Sequence, residues 1–118
     1  MISGPNDPRV GIGLFNLARI LKDLGDVRGA RTALERTTVI DEAAHGVDRP
    51  EVATDLAALG SVLRDLGDFQ AARAAFEWAT RIGEAEYGPD HPDVETNRSN
   101  LEAIARELEA ITGGNQMG

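Results

Sequence analysis

Apolar residues near the start of the chain recur at alternating spacings of four and three: Val10, Leu14, Leu17, Leu21 and Leu24. That period puts all five on one side of a helix and predicts an amphipathic helix with a single apolar stripe. Gly25-Asp26 then interrupts the run. Glycine enters the left-handed conformation cheaply and aspartate caps a helix start, so one helix is expected to stop and another to begin. The second stripe is Val27, Ala30, Leu34, Thr37 and Ile40, closed by Gly46. Further along, Phe69, Ala72, Phe76, Ala79 and Ile82 restate it, with Gly67-Asp68 before them and Gly88 after.

The restatement has a fixed offset. Pro8, Pro50 and Pro92 stand 42 residues apart, as do Val10, Val52 and Val94, then Leu17, Leu59 and Leu101, then Leu24, Leu66 and Leu108. A period of this size marks stacked units, each a helix pair that cannot bury its faces alone. Proline suits a first helical turn, where its missing N–H would lack a partner anyway. Asp7, Asp48 and Asp90, just upstream, are expected to accept from the free amides. The chain therefore reads as an all-α solenoid of about two and a half repeats, with five antiparallel helices in one domain over 1–112. Repeat 1 spans about 8–48, repeat 2 about 50–90 and a closing helix about 92–112; a flexible polar tail is expected over 113–118.

A helix ending in Leu-Gly-Asp, then an aromatic or aliphatic residue, then Ala and a bulky apolar residue four further on, resembles the tetratricopeptide repeat. Leu56, Leu59-Gly60, Leu63, Gly67, Phe69, Ala72, Phe76 and Ala79 carry the likeness best. The first copy is looser, with Ala18 and Thr37 at small positions, and the third departs further, with Arg98, Glu102 and Ala105. The long period and the connector Gly88-Pro89-Asp90-His91-Pro92-Asp93-Val94 resemble the kinesin-light-chain-like subgroup, which also occurs in bacterial multi-domain regulators.

The resemblance implies a protein–protein interaction module in which the first helices of successive repeats line a concave groove that holds peptide segments. The matching positions are Ile12, Phe15, Asn16, Arg19 and Lys22, then Thr54, Ala57, Ala58, Ser61 and Arg64, then Thr96, Ser99, Asn100, Ala103 and Arg106. Asn16 and Asn100 match the asparagine that bonds a bound peptide's backbone in many family members, and Ala58 interrupts that ladder. The family's two-carboxylate clamp for chaperone tails is not reproduced, because Phe15, Arg19 and Ala58 occupy its places. Arg19, Lys22, Arg64 and Arg106 favour an acidic or mixed peptide, unless Asp23, Asp65 and Glu107 quench them.

Charge and chemistry narrow the reading. A net charge of −8 speaks against nucleic acid and against anionic membranes, which both need a basic footprint. No cysteine is present, which removes disulfides and thiolate metal sites. Without a long apolar span, and with a polar start at Met1, the simplest expectation is a cytoplasmic protein. Lys22 is the only lysine beside many arginines and alanines, a composition that suggests a GC-rich bacterial genome. His45 and His91 fall in loops and pair with no second ligand, so no metal or other cofactor is expected. No nucleophile–base set or phosphate loop appears, and an enzyme is not expected.

Self-association is the competing expectation. The first helix has no preceding repeat to cover Ile12 and Phe15, and terminal units of a solenoid need polar outer faces. Trp78, where the other repeat has Arg36, packs internally or anchors an interface. A weak homodimer through Ile12 and Phe15, strengthened by salt that screens the like charges, is the form this takes.

Overall fold

The computed structural model describes residues 7–117, with side chains through Gly113. Five helices follow one another: α1 (Pro8–Asp23), α2 (Val27–His45), α3 (Pro50–Asp65), α4 (Phe69–Tyr87) and α5 (Pro92–Met117). Each packs on the next in chain order. The closing helix thus runs past the end expected at 112. Glycine at 113 and 114 lowers helix propensity without forbidding helical angles. Residues 1–6, where a leader would stand, lie outside the described ones.

The turns explain the pairing. Gly25 and Gly67 have φ of 89° and 83°, a region that costs any residue with a Cβ. At the first, Gly25 N–H donates to Lys22 O and Asp26 N–H to Leu21 O; at the second, Gly67 donates to Arg64 O and Asp68 to Leu63 O. This double bond pattern satisfies carbonyls that a helix end leaves free. Asp26 and Asp68 then accept from Gly29 N–H and Ala71 N–H and open the next helix. The chain reverses within three residues, so α1–α2 and α3–α4 are hairpins.

The upstream aspartates behave differently from one another. Asp7 precedes Pro8 directly and accepts from Arg9 N–H at 2.8 Å. Asp48 and Asp90, expected to do the same, do not cap. Proline holds the first helical position, so the cap is the residue immediately before it. That residue is Arg49 in α3, with no side-chain bond. Before Pro92 it is His91, whose Nδ1 accepts from Asp93 N–H at 3.1 Å.

One continuous core threads the stack. Ala18, Ala30, Ala33, Leu34 and Val62 join α1, α2 and α3. Val52, Leu56, Ala75, Ala79 and Ile82 join α3 to α4. Leu63, Ala72, Phe76 and Ile104 carry it on to α5. Alanine lets the helix axes come close, and Leu34 or Phe76 fills the space on the other side. Thr37, at a position where repeat 2 has Ala79, is buried too, and its hydroxyl donates to Gly11 O at 3.3 Å.

The first apolar stripe is only partly inside. Leu14 and Leu21 are half-buried, but Leu17 and Leu24 are exposed, against expectation. In α3 and α5 the equivalent leucines are half-buried beneath the preceding α2 or α4. No helix stands in that place beside α1 among the described residues.

Candidate functional site

The first helix of each repeat carries the groove positions expected from the sequence. On α1, Ile12, Asn16 and Arg19 are exposed, whereas Phe15 is half-buried against the core cluster of Ala18, Leu34 and Val62. On α3, Thr54 is exposed, and Ala57, Ala58, Ser61 and Arg64 are half-buried. On α5, Thr96, Ser99 and Arg106 are exposed, with Asn100 and Ala103 half-buried.

The cationic heads on this face are not equivalent. Lys22 Nζ donates to Ser61 Oγ at 2.9 Å and lies 3.6 Å from Asp65 Oδ2. Arg64 Nε donates to Glu107 Oε1 at 2.8 Å, and its Nη2 bonds the same oxygen. Each base therefore meets the acid of the following repeat, not the acid beside it in sequence. These links tie α1 to α3 and α3 to α5. Among the described residues the stagger leaves Asp23 at one end of the ladder and Arg106 at the other without an ion pair, and Arg19 has none either.

Two clefts open beside these positions. One of about 190 Å³ lies between α1 and α3 and is lined by Ala18, Arg19, Lys22, Leu34, Ala58, Ser61 and Val62. The other, of about 240 Å³, lies between α3 and α5 over α4. Ala53, Ala57, Ala79 and Gly83 form its small-residue walls, with Tyr87, Asp93, Thr54, Thr96, Pro50 and Asn97 around them. Asn97 is buried, and its side-chain amide has no hydrogen-bond partner among the described residues. An amide in that state is free to bond a group entering the cleft.

Asn97, Tyr87 and Asp93 were not among the sequence-derived positions. Asn97 stands one period after Asp55 and two after Gly13. A polar residue repeated in an apolar helix face was the available signal. Trp78 is partly exposed on α4, which packs between α3 and α5. It does not join Ile12 and Phe15 in one surface. His91 has a local task, since its ring stacks on Tyr87 with centroids 4.5 Å apart while it caps α5.

Among the described residues no group of three or more His, Asp or Glu could hold a metal ion. No described helix is long and apolar enough to cross a membrane.

Antiparallel helix pairs, repeated every 42 residues and stacked on one core, define an α-solenoid of the helix–turn–helix repeat type. The sequence profile of the tetratricopeptide repeat matches residues 9–85. The chain belongs to the tetratricopeptide repeat family. No curated protein matches it. Repeats of this family generally mediate protein–protein interaction and are as a rule binding modules, not enzymes.

Proposed function

We propose that the protein holds an extended segment of a partner protein across the face shared by α1, α3 and α5, as one part of a larger regulator or assembly. The observation that carries this reading is the coincidence of two clefts with that face, one of them offering the unpartnered amide of Asn97. Asn16, exposed on α1, and Asn100, half-buried on α5, match the family's peptide-bonding asparagine, which supports giving them that role here. Lys22 and Arg64 are committed to Asp65 and Glu107. The charges left for a ligand are Arg19 and Arg106, with Asp93 at the rim of the larger cleft. A segment of mixed charge suits this better than a purely acidic one. The 42-residue period and the Gly88–Val94 connector support a place in the kinesin-light-chain-like subgroup, and the composition supports a bacterial, cytoplasmic protein.

The test is a displayed library of short random peptides selected on the protein, followed by titration of the best binder. Asn16→Ala and Asn100→Ala should each weaken it by about 1 kcal/mol or more through lost bonds to its backbone. Thermal melts should stay at the parent value. Unchanged affinity in both variants would move the site off this face.

Self-association is a second reading, favoured by the 64% exposure of Ile12. Phe15 contributes less to it than its sequence position suggests, because its ring already packs on the core. Scattering mass that rises with concentration and salt, and returns to the monomer in Ile12→Glu, is the outcome this reading requires.

A further inference from the structure

Both joints between helix pairs bury a polar residue at the same point of the repeat, but they treat it differently. At the α2–α3 joint that residue is Asp55, and Asp41 from α2 brings a carboxyl to it. One period on, at the α4–α5 joint, it is Asn97, and Gly83 stands in the place of Asp41. Asp55 is 3% exposed and Asn97 7%. Only Asp55 has a side chain of the preceding helix to meet. Position 83 cannot supply one without displacing α5, since a Cβ there would stand 2.9 Å from Val94 Cγ2. Phe15 and Thr37 likewise become Ala57 and Ala79, which line the larger cleft beside Asn97.

The walls of that cleft sort by depth. Tyr87, Asp93, Thr54 and Thr96 are exposed and form its mouth. The Tyr87 ring stacks on His91, and the two threonine hydroxyls donate back to Pro50 O and Pro92 O. Further in are Ala53, Ala57, Ala79 and Gly83, with Asn97 as the polar side chain among them. Its amide offers two donors and an acceptor, and none has a partner among the described residues. A carboxylate entering here could only accept, would leave the Asn97 oxygen unpaired and would pass Asp93 on the way in. An ammonium could only donate, and would bury its charge against alanine walls. A carboxamide donates and accepts at once, carries no charge, and has an apolar stem that suits those walls.

We propose that this cleft takes the side-chain carboxamide of a Gln or Asn in the bound segment, an assignment that rests on the peptide-holding role of the α1–α3–α5 face. The carboxamide pairs with Asn97 in the position where α2 meets Asp55 with its own carboxyl. The partner segment is thereby selected for an uncharged polar residue at one position, whatever the charges of its neighbours.

The test selects peptides from a random display library on the parent and, separately, on Asn97→Leu. Binders of the parent should share Gln or Asn at one position, and binders of Asn97→Leu should carry an apolar residue there. Replacing that residue of the best parent binder by Glu, Lys or Leu should weaken it roughly tenfold. Against Asn97→Leu the Leu form should bind better than the carboxamide form. The variant itself should melt at or above the parent, because no internal bond is lost. Should it not fold, the substitutions in the peptide carry the test alone. Parent binders without a carboxamide preference, or with one that Asn97→Leu leaves unchanged, would overturn this assignment. If Asn16→Ala and Asn100→Ala still weaken those peptides, the binding face stands without it. Failure to select any binder, or binders indifferent to all three asparagines, would overturn the face and the assignment together. A folded Asn97→Leu that melts well below the parent would mean that the amide is bonded inside the protein, and would also reject the assignment.

Discussion

The carboxyl of Asp55 on α3 interacts with that of Asp41 on α2 across the joint between the two repeats. Asp55 is 3% exposed and its Oδ2 meets no protein donor. A proton on Asp55 removes the repulsion from Asp41 and Glu51 and avoids a buried charge. Burial is the main cause, and the charges of Asp41 and Glu51 add to it, so the Asp55 carboxyl is pushed up to about 9. At the α4–α5 joint the same two positions are Gly83 and Asn97. The carboxyl pair belongs to one joint alone.

Its consequence is a pH-dependent stability with a definite sign. An unfolded Asp55 releases its proton near 3.8, whereas the folded one keeps it to about 9. Stability tied to that proton is whole below 3.8 and falls as pH rises through about 9. Asp55→Asn keeps a donor toward Asp41 and carries no charge. Urea melts should show the variant gaining roughly 2–4 kcal/mol on the parent between pH 5 and pH 8. Parallel pH profiles would mean that Asp55 is not the group that titrates.

Gly60 lies under the ring of Phe76, where an added Cβ would stand 2.8 Å from Cε2 and 2.9 Å from Cδ2. Repeat 1 solves the same contact with Ala18 and the smaller Leu34. Gly60→Ala should therefore destabilise by about 1–3 kcal/mol through overpacking, despite alanine's better helix propensity. Adding Phe76→Leu, which recreates the repeat 1 pair, should recover much of the loss. A double mutant whose denaturation free energy equals the sum of the two singles would show no coupling, and would remove this account of the glycine.

The α5 cap makes a smaller, local prediction. His91→Ala removes the acceptor for Asp93 N–H and the ring that stacks on Tyr87. A loss of about 0.5–2 kcal/mol in chemical denaturation is expected. His91→Asn, which restores a capping oxygen but not the ring, should recover part of it. A variant as stable as the parent would leave the cap without energetic weight.

Much of this architecture is legible in the sequence, because period and punctuation are local. Leu-Gly-Asp predicts the end of α1 and the start of α2, and both lie where it says. What the sequence conceals is what stands next to a face. Leu17 and Leu59 occupy the same place in the pattern, yet only Leu59 has a helix over it. The ion pairs are hidden for a related reason. Lys22 is beside Asp23 in the chain but bonds toward Asp65, one repeat on. The cap error is of another sort, since Asp48 and Asp90 follow the family rhythm while proline fixes the cap one residue later. Asn97 and Asp55 are polar residues in an apolar register, and only burial shows that they matter.

The three residues at one register position separate the effect of side-chain chemistry from the effect of cover. Ile20, Val62 and Ile104 are alike in size and lie on helices of the same kind, yet they are 55%, 2% and 0% exposed. Aspartate at 62 or 104 would bury a carboxylate with no partner, at a cost of several kcal/mol that rivals the stability of a domain this size. Val62→Asp and Ile104→Asp should therefore lose the cooperative circular-dichroism melt. Ile20→Asp places the same charge in solvent and loses mainly helix propensity. Its unfolding free energy should stay within about 1 kcal/mol of the parent. If Ile20→Asp unfolds like the other two, something covers α1 in the isolated protein, and that side of the helix is an internal or self-associated surface. If Val62→Asp melts like the parent, the core assignment between α2 and α3 fails.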